Sequence, residues 1–161
     1  MEEFIKFFNY IADFIKQIYF LVIKIKKPNS YDVELFKQIL IYEDKIYSLK
    51  ELDFGAIFSE NDIESINELE HILGIKKFVN KKLEKLRRDL FDASSKLSRE
   101  IEIKVYSTDS RGFYSAKIRD NKSIARKDSL QNIQYLNGLA SDFIGKYYVL
   151  INEGKKRLGN F

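Results

Sequence analysis

A single proline, Pro28, stands in the 161-residue chain. With so few breakers, the long stretches on either side of it can close their backbone hydrogen bonds locally, and their apolar residues recur mostly at spacings of three and four. Helices are therefore the expected material of the fold. Absent cysteine excludes disulfides, thiolate metal sites and cysteine nucleophiles, and one histidine, His71, excludes imidazole-rich zinc sites and paired-histidine chemistry.

Before Pro28, polar residues fall at Glu2, Lys6, Asn9, Asp13, Lys16, Gln17, Lys24 and Lys27, which share one narrow stripe at 100° per residue. Phe4, Phe7, Phe8, Ile11, Ile15 and Ile18 lie on the opposite, unusually wide apolar face, so residues 1–27 read as one long helix seeking a partner or a membrane surface. The β-branched run Ile18 to Ile25 competes as a strand, but the stripe continues through Lys24 and Lys27. Phe4 to Ile25 is long enough to span a bilayer, yet Asp13, Lys16 and Gln17 sit at its centre. Each central charge costs roughly 2.5–3.5 kcal/mol, against about 0.3–0.6 returned by each strong apolar residue, so a span is disfavoured. The acidic start also lacks the basic region of a secretory signal. The expected location is the cytoplasm, with association at a membrane surface as an option.

After Pro28, Asn29 or Ser30 offers a cap, and Leu35, Ile39, Tyr42, Ile46 and Leu49 predict a second helix. It ends at Asp53-Phe54-Gly55, where glycine suits a left-handed turn and Phe54 and Phe58 can plug the end of a bundle. Ser59 with Asp62 reads as a capping box for a short third helix carrying Ile63, Ile66, Leu69 and Leu73, closed by Gly74. Val79, Leu83, Leu86, Leu90, Ala93 and Leu97 give a fourth helix with an alternating seam. Residues 104–122 read as a long connecting loop with room for a short extended piece. Ile133, Leu136, Ala140, Phe143, Tyr147, Leu150 and Ile151 predict a last helix beginning near Ser123 or Asp128. The expected fold is a single all-α domain over residues 1–161, an up-and-down bundle of four long helices plus one short helix.

The net charge of +4 conceals segregation: residues 43–74 carry nine acidic and two basic side chains, whereas residues 75–104 and 105–161 each carry ten basic and five acidic ones. So acidic a block is unlike a uniformly basic nucleic-acid binder. A basic patch is expected at Lys76, Lys77, Lys81, Lys82, Lys85, Arg87 and Arg88, with its charges spread around three sides of the fourth helix. Residues 60–70 could neutralise it within the fold or across a dimer. Asn137 falls beside the last helix's apolar seam, either as a hydrogen-bonded polar core residue that fixes register or lining a cleft with Asp142 and Tyr147.

Three motifs carry a resemblance: Leu52-Asp53-Phe54-Gly55-Ala56-Ile57-Phe58-Ser59, then Phe78-Val79-Asn80-Lys81-Lys82-Leu83-Glu84 with Arg87 and Leu90, then Asn137, Ala140, Asp142 and Tyr147. Over residues 45–158 the chain resembles a family of small helical bacterial proteins with no established activity. The resemblance implies a helical domain whose variable N-terminal part is often a membrane-spanning or long helix. A Thr-Phe-Pro-like turn of that pattern is replaced here by Lys104-Val105-Tyr106-Ser107.

No catalytic constellation is expected. Asp53-Phe54-Gly55 matches a protein-kinase triplet, but the Gly-rich loop and His-Arg-Asp are missing. Glu68 and His71 have di-iron spacing without the second Glu-x-x-His. The expectation is a non-enzymatic interaction or scaffold module without metal or cofactor, meeting a partner protein, a second copy or a membrane surface through the N-terminal helix and charged patches. The alternative is a basic nucleic-acid-associated regulator.

Overall fold

The computed structural model describes residues 11, 13–17, 28–109, 113–116 and 123–159. Helix α1, Ser30–Leu40, starts where the Asn29 side chain accepts the Tyr31 N–H at 2.9 Å, and it buries Leu35, Phe36 and Ile39. A break at residues 41–42 separates it from α2, Glu43–Ser48, and a 3-10 turn, Leu49–Glu51. The single helix expected here is thus divided. Ile39 and Ile46 are seven residues apart and both fully buried, so the apolar phase runs through the break and leaves no mark in the sequence.

Helix α3, Glu60–Ile75, begins as predicted: the Ser59 N–H and Oγ both donate to Asp62 Oδ2, at 2.7 and 2.8 Å. Ile66, Leu69 and Leu73 face the core and Glu60, Asp62 and Glu64 face solvent. The helix runs one residue beyond Gly74, which approaches Phe91 instead of ending it. Helix α4, Lys81–Lys104, packs antiparallel between α3 and the 36-residue α5, Ser123–Leu158. Of its expected seam, Leu83, Leu90, Ala93 and Leu97 are buried and Leu86 is half-buried, whereas Val79 precedes the helix and is 63% exposed; Arg87, Ser94 and Ile101 also face inward. On α5, Leu136, Ala140, Phe143, Tyr147, Leu150 and Ile151 are buried as expected and Ile133 is half-buried.

The protein is mostly helical, but not all-α. Strands β1, Phe58–Ser59, β2, Tyr106–Asp109, and β3, Phe113–Ser115, form a small antiparallel sheet in the order β1-β3-β2. Phe58 pairs with Tyr114, and Tyr106 with Ser115. The connection expected at 104–122 therefore begins with the last residue of α4 and then holds two strands; residues 110–112 and 117–122 lie outside the described residues. Strands of two to four residues are too short for a period-two pattern, and β1 lies some fifty residues away in sequence.

Candidate functional site

Two hydrogen-bonded corners and two surfaces hold most of the described residues singled out by sequence. At the first corner the chain leaves the 3-10 turn through Asp53-Phe54-Gly55. The Phe54 N–H donates to Asn137 Oδ1 at 3.1 Å, and Asn137 Nδ2 donates to Asp53 Oδ1 at 3.0 Å. The Gly55 N–H also donates to Asp53 Oδ1, at 2.9 Å. The Asn137 hydrogen bond, aided by that of Gly55, holds the Asp53 carboxyl below the usual range. Ala116 N–H reaches the Phe54 carbonyl at 2.8 Å, so the same turn is tied to the end of β3. Phe54 and Phe58 are buried edge to face, with ring centroids 5.2 Å apart.

Gly55 serves a different purpose from the one predicted. Gly159 is the positive-φ glycine among the described residues, and Gly55 has no left-handed backbone. A Cβ at Gly55 would stand 3.1 Å from Ile133 Cδ1 and 3.3 Å from Asp53 Oδ1; the turn needs glycine for close approach to α5.

The second corner joins α3 to α4. Buried Asp32, on α1, accepts the N–H groups of Val79 and Asn80 at 2.7 and 2.9 Å. Asn80 caps α4 by accepting the N–H groups of Lys82 and Leu83. Glu84 accepts the Phe78 N–H at 3.0 Å and a two-pronged pair of bonds from Arg87, whose other guanidinium nitrogen donates to the Leu73 carbonyl. Arg88 adds a bond to Glu84 at 2.9 Å. Burial pushes the Glu84 carboxyl up, but the bonds from Arg87, Arg88 and Phe78 prevail and set it at about 2.

That network takes one residue out of the expected basic patch. Arg87 is buried, with 5% exposure, and belongs to the corner. Lys76 donates to Gln38, and Lys82 pairs with Glu153 at 2.9 Å rather than with the acidic block. Lys77, Lys81, Lys82, Lys85 and Arg88 are exposed. Lys81, Lys85, Arg88, Lys96 and Arg99 then fall at offsets of 0, 4, 7, 15 and 18, a straight exposed stripe of about 27 Å on α4 that exposed Asp92 interrupts at offset 11.

The cleft considered around Asn137 does not assemble. Tyr147 is fully buried and donates to the Ile39 carbonyl at 3.0 Å, and Asp142 is exposed and paired with Lys146. Burial, with Glu43 next in effect, raises the Tyr147 hydroxyl. His71 is exposed, and among the described residues no group of His, Asp or Glu is arranged to hold a metal.

Of the expected N-terminal contact residues, Phe4, Phe7, Phe8 and Ile18 lie outside the described residues. Residues 13–17 are helical, and Ile11, Phe14 and Ile15, one face by spacing, are 38%, 56% and 59% exposed. Among the described residues no helix is long and apolar enough to cross a membrane.

No family model, curated protein or solved structure matches the chain. The sequence reading missed Asp32 and the buried Glu84–Arg87 pair. A signal existed: Arg87, Ser94 and Ile101 each follow a buried leucine by four residues, the spacing of one inward face.

Proposed function

We propose that the protein is a non-enzymatic interaction module that docks its N-terminal apolar face on the apolar surface of a partner, a protein or a membrane interface. The observation that carries this reading is the exposure of Ile11, Phe14 and Ile15 side by side, ahead of a domain whose core already contains residues of α1 to α5. Exposed large apolar side chains gathered on one helical face are a feature of surfaces that bind. The polar residues gathered at the two corners bond chiefly to backbone and to one another, which suits supports of the fold rather than reacting groups.

Vesicle flotation and cross-linking in cells, each comparing the parent with Ile15→Lys, test the proposal. Loss of flotation identifies a membrane partner, and loss of a specific cross-linked species identifies a protein. If Ile15→Lys keeps every association of the parent, the reading fails.

The stripe from Lys81 to Arg99, five cations with Asp92 among them, supports a second reading, contact with a phosphate backbone. RNA and duplex DNA binding at low salt, abolished by Lys81→Glu with Lys85→Glu, is its expected result. Absence of binding at low salt removes it.

A further inference from the structure

Three elements meet at the end of the domain from which residues 1–27 lead away. That segment joins at Pro28, and Asn29 caps α1 directly after it. Buried Asp32, in the first turn of α1, accepts the N–H groups of Val79 and Asn80, so the start of α4 is fixed beside the start of α1. Helix α5 finishes here too. Lys82 pairs with Glu153 across the antiparallel helices, which puts Lys156 about level with Val79.

This end carries positive charge that the fold does not use. Lys77 in the α3–α4 connection, Lys81 and Lys85 in the first turns of α4 and Lys156 in the last turn of α5 are exposed. None of the four has a hydrogen bond, ion pair or ring contact among the described residues. The nearby carboxylates are mostly engaged: Asp32 and Glu84 are buried and bonded, and Glu153 pairs with Lys82 and Arg157. Glu34, a turn into α1, is exposed without a partner among the described residues. Val79 and Tyr31 stand exposed at the same end, and Asp32 fixes the Val79 backbone, so that side chain is held outward by the corner.

We propose that this end of the domain sits against a bilayer surface containing anionic lipid, an inference that rests on the N-terminal docking reading and names its partner. The apolar face of an interfacial helix enters the boundary between headgroups and acyl chains, roughly 5–10 Å deep. A chain leaving that layer passes the headgroups, and here it arrives at Pro28 beside four unpaired lysines. An exposed tyrosine suits the headgroup level, and lysine stems can lie along apolar surface while their charges reach phosphate. The four lysines come from three elements, with no shaped acceptor between them. Lysine is a point charge on a flexible stem, so mobile headgroups can gather round any such arrangement, whereas a protein partner would need a carboxylate placed to match each one. Nucleic acid would meet the cations but leave the N-terminal apolar face, which leads away from this same end, without a partner.

Flotation of the full chain with vesicles of phosphatidylcholine alone, and of phosphatidylcholine and phosphatidylglycerol in equal parts, at low and high salt, measures the contact. The expected result is stronger binding to the anionic vesicles, by a margin that shrinks as salt rises. Lys77→Glu with Lys156→Glu should weaken binding to the anionic vesicles about tenfold or more and leave binding to phosphatidylcholine unchanged. Lys77→Gln with Lys156→Gln introduces no new charge and should give a smaller loss in the same direction. Lys77→Arg with Lys156→Arg keeps the charge and should bind as the parent does. Equal binding of the parent to the two vesicle types overturns the proposal, as does an anionic preference that the glutamate and glutamine pairs both leave intact. Failure to bind either vesicle overturns it too. The N-terminal reading fails separately, on Ile15→Lys: equal binding to both vesicles that Ile15→Lys abolishes would leave that reading standing while this one falls.

Discussion

At the α3–α4 corner a carboxylate is enclosed with the guanidinium of Arg87, whereas at the Asp53-Phe54-Gly55 corner one amide side chain, Asn137, serves both an N–H and a carboxylate that keeps contact with water. The two corners should respond very differently to damage. An enclosed ion pair is worth little relative to an apolar replacement but a great deal relative to half of itself, since the survivor keeps its desolvation cost. A half-exposed amide can be replaced in part by water.

Arg87→Ala separates the corners most sharply. It should cost about 3–5 kcal/mol in urea unfolding, because Glu84 loses its main partner and the Leu73 carbonyl a donor. A loss below about 1 kcal/mol would erase the contrast. Asp32→Ala comes next, at about 3 kcal/mol, as it leaves two backbone N–H groups of the junction without their charged acceptor. At the other corner, Gly55→Val should cost about 1–3 kcal/mol by overpacking against Ile133. Asn137→Ala should cost about 1–2 kcal/mol, provided that water reaches Phe54 N–H. A cost equal to that of Arg87→Ala would show this corner to be as closed as the other.

Acid sharpens the same contrast. Glu84 lies at about 2 against an ordinary 4.5, so its folded-state value is depressed and it binds fewer protons when folded. Its contribution is complete above about pH 4.5 and is lost as pH falls toward 2. In Glu84→Gln the slope of stability against pH between those values should flatten. A slope equal to the parent's would assign acid sensitivity to other carboxylates, Asp53 among them, whose shift has the same sign.

The sequence displayed these corners unevenly. Ser59 and Asp62 are three residues apart, so their cap was legible, and the seam of α5 followed from apolar spacing. Asn137 was marked as polar beside an apolar seam, but its attachment to the Asp53 turn spans more than eighty residues and no local pattern encodes it. Arg87 reads as surface charge when charge alone is weighed, but the phase of Leu83, Leu90 and Leu97, which the sequence also displays, turns it inward. The sheet was hidden for a related reason, since pairing over two or three residues depends on where helices deliver the strands.

Helix α1 rests on the far end of α5. Tyr147 donates to the Ile39 carbonyl, Lys155 pairs with Glu43, and Gly154 lies so close to Phe36 that an added Cβ would overlap the ring. During synthesis the segment that emerges early is therefore left without its packing surface until the last turns of α5 clear the ribosome exit tunnel. A nascent chain stalled before the last turns of α5 have emerged should leave α1 open to proteases and chaperones, and their emergence should close the core.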